Sequence, residues 1–360
     1  MSGNGGAPTR VLALLFKEAL QLVRDRATLG MLLGIPILQI ALFGYAIELS
    51  PQALSITVVT SDARKSERVE RMLNLAGGLA EVQHEESLAL AKAALARGTT
   101  LLVVDADAWP RVVYLDATDP VLAAHAENII DRFVRSMSAP LEDSDADTPP
   151  LRVERLYNPQ ARTQPFLVSG LLGVILTMSL VMMSALTIAR ERERGTLEGL
   201  LASSARPFEL WVGKLAPYIF IGAVQAAFVL LVARYAFDIR PVGSLSLLFS
   251  ATLLFAVANL ALGFLFSCLA AQQTQAMQMT FFFFLPSSLL SGFMFPFSAM
   301  PRWAQSIAEI LPLTHYLRIV RGLVLRGVDT AFVQAELLPI ALFAIVMASV
   351  SLLAWRRTIA

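Results

Sequence analysis

Apolar residues in this chain fall mostly in long uninterrupted runs, too long for the alternation of surface helices or strands. Charge-free stretches run from Ala27 to Ile47, Thr163 to Ala189, Leu215 to Ala233 and Leu337 to Trp355. A helix needs roughly 20 mostly apolar residues to cross a bilayer, so each is long enough to span. Pro241 to Pro301 carries no charge at all and is too long for one crossing. Gln272, Gln273, Gln275 and Gln278 mark a polar fold-back in it, which divides it into spans near Leu245–Leu269 and Met277–Pro296. The pattern predicts an α-helical polytopic membrane protein with six transmembrane helices.

The remaining third has a different texture. From Glu48 to Arg162 there are 12 Lys and Arg against 18 Asp and Glu, more than half of the chain's charge. Ser55–Thr60 (SITVVT), Thr99–Val104 (TTLLVV) and Arg111–Leu115 (RVVYL) are β-branched runs suited to buried strands. Ser66–Leu75 and Glu86–Arg97 have helical spacing, and Pro120 opens a further helix through about Val134. Strands alternating with helices predict crossover units in an inserted α/β domain. Leu141–Pro150 (LEDSDADTPP) is acidic and Pro-rich, and is expected to be a loop.

Charge sets the expected orientation. Arg10, Lys17, Arg24 and Arg26 precede the first span. Arg190, Arg192, Arg194, Arg206 and Lys214 separate the second and third, and Arg356 and Arg357 follow the last. The positive-inside rule places these, and both termini, in the cytoplasm, with the α/β domain outside. Arg302, Arg318, Arg321 and Arg326, in the loop after the fifth span, count against that bias. Arg10–Arg26 is amphipathic, with Leu12, Leu15, Phe16, Ala19, Leu22 and Val23 at helical spacing; it either lies in the cytoplasmic interface or extends the first span.

The expected organisation is a cytoplasmic N-terminus with an amphipathic helix at 1–26, spans at 27–48, 164–189, 214–236, 245–269, 277–296 and 334–355, and an external domain at 49–163. A cytoplasmic loop occupies 190–213, an external loop 297–333, and a short cytoplasmic tail 356–360.

Composition narrows the chemistry. The chain is 56% hydrophobic and 16% charged, with a formal net charge of +1, which does not suggest nucleic-acid binding. One cysteine, Cys268, excludes an internal disulfide and a cysteine metal site. HExxH, GxSxG and GxxxxGK[ST] are all missing, so neither metal hydrolysis, serine hydrolysis nor ATP hydrolysis has its usual machinery here. His84, His125 and His315 stand apart from one another. The charge-free runs carry no carboxylate or histidine of the kind that proton-coupled carriers keep in the membrane. If the chain transports actively, its energy comes from another polypeptide.

The segment RERERGTLEGLLASSARPFELWVGK, Arg190–Lys214, is the most patterned polar stretch. A mixed-charge block leads into a short helix with Leu197, Leu200 and Leu201 on one side, ended by Arg206-Pro207. Spacing leaves two uses open. The ridge can dock in a groove of a partner, or the segment can be a solvated loop whose Arg and Glu anchor the span.

This arrangement resembles the permeases of the ABC-2 type exporter superfamily, in particular the multidrug-export branch with a large external domain. The family pattern is ERExGTxExL, then Thr-Pro, then ExxxGK. The chain has Glu191-Arg192-Glu193, Gly195-Thr196, Glu198, Leu200, Glu209 and Gly213-Lys214 in register, but Ser203-Ser204 in place of Thr-Pro. Lys17-Glu18, Arg24-Asp25, Pro36, Gln39 and Phe43-Gly44-Tyr45-Ala46 resemble the start of its first span. So do Ser291-Gly292-Phe293, Phe295-Pro296, Met300-Pro301, Leu311-Pro312-Leu313-Thr314, Tyr316 and Arg321-Gly322 its fifth-span exit. Leu115-Asp116 and Thr118-Asp119 match the external domain more loosely.

The resemblance implies a non-catalytic permease that dimerises with itself or a sister permease and binds two copies of an ABC ATP-binding subunit. ATP and Mg belong to that partner, and no cofactor is expected in this chain. Glu191–Ser204 would be the coupling helix, with Arg192, Glu193, Arg194 and Glu198 as rim contacts and Leu197, Leu200 and Leu201 filling the groove. Arg302–Leu311 and Leu313–Arg326, punctuated by Pro301 and Pro312, would be a re-entrant helix pair closing the pathway. The plainer alternative is a loop lying on the membrane. Gly292, Phe295, Pro296, Tyr316 and Arg321 belong to that candidate gate. Gln225, Asn259 and Gln278 are expected to join helices. The family also implies a bacterial inner-membrane location, contact with membrane lipid and, by analogy, a periplasmic adaptor. A membrane-anchored sensor whose α/β domain binds a ligand or partner is the competing function.

Overall fold

The computed structural model describes residues 54–60, 80–85, 87–107, 111–137, 151–160, 162–198, 207–297 and 300–359, together with Leu12, Leu15, Phe16 and Asp62. The expected first span and the Ser66–Leu75 helix lie outside these residues. So do the Leu141–Pro150 loop and most of the N-terminal amphipathic segment.

The charged third forms a five-stranded sheet, β1 Leu54–Val59, β2 Ala80–Glu85, β3 Leu102–Asp105, β4 Arg111–Asp116 and β5 Leu151–Leu156. The strand order is β2-β1-β3-β4-β5. β1 runs parallel to β2 and β3, and β4 parallel to β5, but β3 and β4 are antiparallel, with Val104 opposite Val113. The crossover expectation therefore fails at one step. Only five residues separate β3 from β4, too few for a parallel crossover. Thr99–Leu101, expected in the third strand, lead into it as a bend.

Among the described residues two helices cover the sheet, α1 Leu88–Arg97 and α2 Pro120–Met137. Alternate residues feed opposite faces. Ile56, Val58, Leu102, Val104, Val113 and Leu115 pack with Ala123, Ala126, Ile129 and Ile130 of α2. Val59 and Val103 pack with Ala91 and Leu95 of α1. Period-2 geometry requires this division. α1 ends at Gly98, whose φ of +74° lets its N–H reach Leu95 O.

The rest of the described chain is helical: α3 Thr163–Glu193, α4 Pro207–Ala236, α5 Leu245–Leu269, α6 Gln273–Leu290, α7 Arg302–Ala308, α8 Pro312–Arg321 and α9 Thr330–Ile359. A single π-helical turn, Gly322–Arg326, follows α8. α3, α4, α5 and α9 are long and apolar enough to cross a membrane. α6 falls short of that standard because glutamines dilute its first turns. Burial separates the four: over an 18-residue apolar stretch of each, 78% of α3 and 72% of α5 is enclosed, against 17% of α9. α3 and α5 thus form the centre. They approach closely at Gly263, where an added Cβ would overlap Ser184 Oγ and Val181 O. Ser267 Oγ of α5 accepts the backbone N–H of Ile188 and Ala189 at 2.7 and 3.1 Å, a second tie between the two.

Two of the expected polar bridges differ in kind. Ser179 Oγ donates to Gln225 Oε1 at 2.6 Å and joins α3 to α4. Asn259 donates only to Phe255 O in its own helix, leaving its Oδ1 buried without a partner.

Candidate functional site

α3 ends where its apolar face gives way to charge. Gly195 adopts φ +68°, and the chain turns by donating Gly195 N–H to Arg192 O and Thr196 N–H to Glu191 O, at 3.2 and 3.0 Å. This is the paired bonding of a glycine-capped helix end. The helix resumes at Leu197 and Glu198, while Gly199–Arg206, including Leu200 and Leu201, lie outside the described residues. The segment is therefore split: Glu191–Glu193 complete the long helix α3, and the separate helix begins after the glycine.

The charges here do more than solvate the turn. Glu191 and Glu209 are buried, and Lys214 is 2% exposed. Lys214 Nζ lies 3.4 Å from Glu191 Oε1, and Thr196 Oγ1 donates to Glu191 Oε2. α3, the turn and α4 are thereby knotted through one carboxylate. Arg192 reaches Ala270 O and, at 3.3 Å, Cys268 O at the end of α5. Glu193 accepts from Gln273 N–H and Nε2, both at 2.6 Å, at the start of α6. These two hydrogen bonds hold the exposed Glu193 carboxyl below its usual range. Arg192 and Glu193, expected on the rim of a partner, thus also bind the α5–α6 turn of this chain. Arg194 and Glu198 stay exposed, whereas Leu197, expected to fill a partner's groove, is half-buried against the core of the helical unit.

At the other end, α6 stops at Leu290 and the chain turns through Gly292, whose φ is +84°. α7 and α8 follow, separated by Pro312 at the first turn of α8. The two short helices differ in packing. α7 exposes Trp303 and Ile307 and, just beyond its end, Ile310, and buries Ala304 and Ala308. α8 is enclosed along nearly its whole length, by α3, α5 and α9. Tyr316 is fully buried, its ring stacked on Phe255 at 4.1 Å between centroids, and its hydroxyl 2.7 Å from Thr252 Oγ1. Gly173 makes room on α3, because an added Cβ would meet Leu313, Leu317 and Tyr316 at 2.8 to 3.1 Å. α8 is thus wedged among the long helices and does not lie on their outside.

α8 is also clasped to α9. His315 Nδ1 lies 2.6 Å from Glu336 Oε2 and Nε2 lies 2.8 Å from Glu309 O. Both partners are acceptors, so the ring fits this site best as the doubly protonated imidazolium. Burial alone would depress its pKa, but the Glu336 and Glu309 hydrogen bonds outweigh that and raise it. Arg318 adds a bidentate pair with Glu309, at 2.5 and 3.1 Å, and approaches Glu336 at 3.6 Å.

Comparison with known proteins places this geometry. The profile of the ABC-2 family transporter protein matches residues 26–355. The chain belongs to the ABC-2 transporter family. Two Escherichia coli K12 proteins are similar over most of its length. "Probable multidrug ABC transporter permease YbhS" is 29% identical across 88% of this chain and 89% of its own. "Probable multidrug ABC transporter permease YbhR" is 26% identical across 97% and 99%. "Inner membrane transport permease YhhJ" of the same strain is 25% identical across 65% and 63%. An ABC-2 chain with four such helices is a multi-pass membrane permease.

In this ABC-2 chain the structure brings the two candidate clusters to opposite ends of the helical unit's central pair. Glu191, Arg192, Gly195, Thr196, Glu209 and Lys214 gather at the C-terminal end of α3. Tyr316 packs on the N-terminal half of α5, and Arg321 on the first turn of α3, where its guanidinium stacks over Phe166 at 3.9 Å. Phe295, Pro296 and Pro301 lie on the connection and make no polar contact with that cluster.

The contact that ties the sheet to the helices was not legible in the sequence. Arg326 Nη2 donates to Asp116 Oδ2 at 2.5 Å and Nε to Thr118 Oγ1 at 3.3 Å, joining the π-helical turn to the sheet. Arg326 had counted only as a charge against the orientation bias, and Asp116 and Thr118 only as loose family matches. The one signal was an arginine and an aspartate each flanked by apolar residues, which is too common to pair across the chain.

Proposed function

We propose that this chain is the transmembrane subunit of an ATP-driven exporter, and that Arg190–Lys214 receives the work of a separate ATP-binding subunit. The carrying observation is the Glu191–Thr196–Lys214 knot with its extensions through Arg192 and Glu193. Any displacement of the Leu197–Glu198 turn is delivered at once to α3 and α4 and to the α5–α6 turn. A segment that only solvated a loop would gain nothing from burying a lysine and two glutamates.

In this proposal two ATP-binding subunits, which hold ATP and Mg, seat on the coupling segments of a permease pair. Their closure favours one arrangement of the spans over another, and that difference in affinity alone shifts the equilibrium. The chain crosses the bacterial inner membrane six times with both termini cytoplasmic. The sheet unit stands outside, where it is suited to meet a periplasmic adaptor. The α7–α8 pair closes the outer end of the path. The cargo is hydrophobic or amphipathic: a drug-like molecule, a lipid or an envelope component.

The test is purification of the tagged chain from native membranes in mild detergent. A P-loop ATPase at about one copy per permease supports the proposal, and its absence across several mild detergents refutes it. Glu198→Lys should insert normally but retain less ATPase. Orientation is checked separately with a Cys268→Ser chain carrying Ser144→Cys. Its thiol should react with an impermeant reagent from the outer side.

A further inference from the structure

Between the sheet unit and the α6–α9 connection lies an open cavity of about 510 Å³. Among the described residues four arginines line it: Arg97, Arg318, Arg321 and Arg326. Two have carboxylates of their own, Arg326 with Asp116 and Arg318 with Glu309 and Glu336. Arg97 and Arg321 form no ion pair with any described residue.

Arg321 is the more unusual. Its guanidinium stacks on Phe166, and Nη1 donates to Gly292 O at 3.0 Å. Its Nε and Nη2 are buried without a hydrogen-bond partner. A buried charged donor left unmatched carries a larger penalty than a neutral one. Burial pulls its pKa down to about 10, which still leaves it charged at neutral pH. The carboxylate that acts on it is Asp119. That group already accepts the N–H of Val121 and Leu122 at 2.9 and 3.2 Å, capping α2. Burial raises the Asp119 pKa while Arg321 opposes the rise, and the two side chains share neither a hydrogen bond nor an ion pair. Two arginines without an ion pair to any described residue thus line a cavity large enough for a ligand.

The walls add a second property. Leu122, Phe166, Leu317 and Phe332 supply apolar surface within the cavity. On the adjoining connection Phe295, Trp303 and Ile310 are 51%, 66% and 69% exposed. Apolar walls beside an arginine site suit a molecule with a charged head and a greasy tail.

We propose that this cavity binds the anionic headgroup of an amphiphile, a single carboxylate or phosphate, with Arg321 and Arg97 as its counter-charges. The site stands on these charges and walls and holds whether or not an ATPase drives the chain. The headgroup can come from a bilayer lipid or from an amphiphile in transit. A free phosphate ion offers the same anionic chemistry without the tail.

The test is the thermal unfolding midpoint of the full-length chain in an uncharged detergent, titrated with dodecyl phosphate, inorganic phosphate or dodecanol. Dodecyl phosphate should raise the midpoint by several degrees, as a ligand of the folded state does. Dodecanol should not, and inorganic phosphate should need far higher concentrations. Arg321→Gln should lose the shift and Arg321→Lys keep much of it. Arg97→Gln, at an exposed position, should weaken the response at least about threefold without changing the ligand-free midpoint. An equal response in Arg321→Gln, or to dodecanol, overturns the site. An equal response to inorganic phosphate overturns the amphiphile. If Arg321→Gln does not fold, Arg97→Gln decides, and an unchanged response there overturns the proposal.

Discussion

Arg326 holds the Asp116 carboxylate at 2.5 Å across 210 positions of chain, and so ties the sheet unit to the connection that leads into α9. Asp116 Oδ1 also accepts the Thr118 N–H at 2.9 Å, which fixes the carboxylate for its partner. Gly98 completes the contact, because a Cβ there would overlap the Arg326 guanidinium.

Breaking this clasp should loosen the sheet unit. Side chains of the pair are 16% and 4% exposed, so the interaction is largely buried. Asp116→Asn should cost about 3 kcal/mol, the low end for removing one partner of a buried ion pair. The measurement is a double-mutant cycle with Arg326→Gln by thermal unfolding. A coupling near zero would show that the two units are held together elsewhere.

The His315 clasp predicts a pH dependence. Its folded pKa is raised, so its contribution to stability is complete below the ordinary histidine value of about 6.5. That contribution disappears as pH rises through the higher folded-state value. Glu309, Glu336 and Arg318 are the charged groups that face it. Native and His315→Gln chains should differ most in midpoint at about pH 5.5 and converge as pH rises through the raised folded-state value. A constant difference would mean that the ring does not titrate over that range.

The Glu191–Lys214 pair predicts asymmetry between one change and two. Lys214→Met removes a buried cation from the Glu191 carboxylate and should cost about 3 kcal/mol. Adding Glu191→Gln removes that charge and should recover part of the loss. Detergent-solubilised yield and unfolding midpoint read both. Coupling to the ATPase should suffer in each variant, because the knot is gone in each.

Gly263→Val should separate α3 from α5. The backbone and Ser184 stand where the new side chain must go, and a central helix pair cannot yield without moving its neighbours. The variant should lose most of its folded yield, whereas Gly263→Ala should lose less. A fully folded Gly263→Val chain would show that the crossing is looser than its geometry indicates.

The sequence by itself determined the helical class, the four most apolar helices and the presence of a sheet in the charged third. These follow from periodicity and apolar length, which are properties of a few neighbouring residues. β2 (AEVQHE) and β5 (LRVERL) were not legible, because edge strands carry charges that central strands exclude. The glycine break after α3 was written only weakly in Gly195. Only tertiary structure decided that Glu193 meets Gln273, that His315 meets Glu336, that α8 is wedged inside the helical unit, and that Arg326 meets Asp116. Each joins residues distant along the chain, and a lone charge in a sequence does not reveal its partner. Burial then decides its worth, since a charge solvated in an open loop contributes little and the same charge paired away from water holds two elements together.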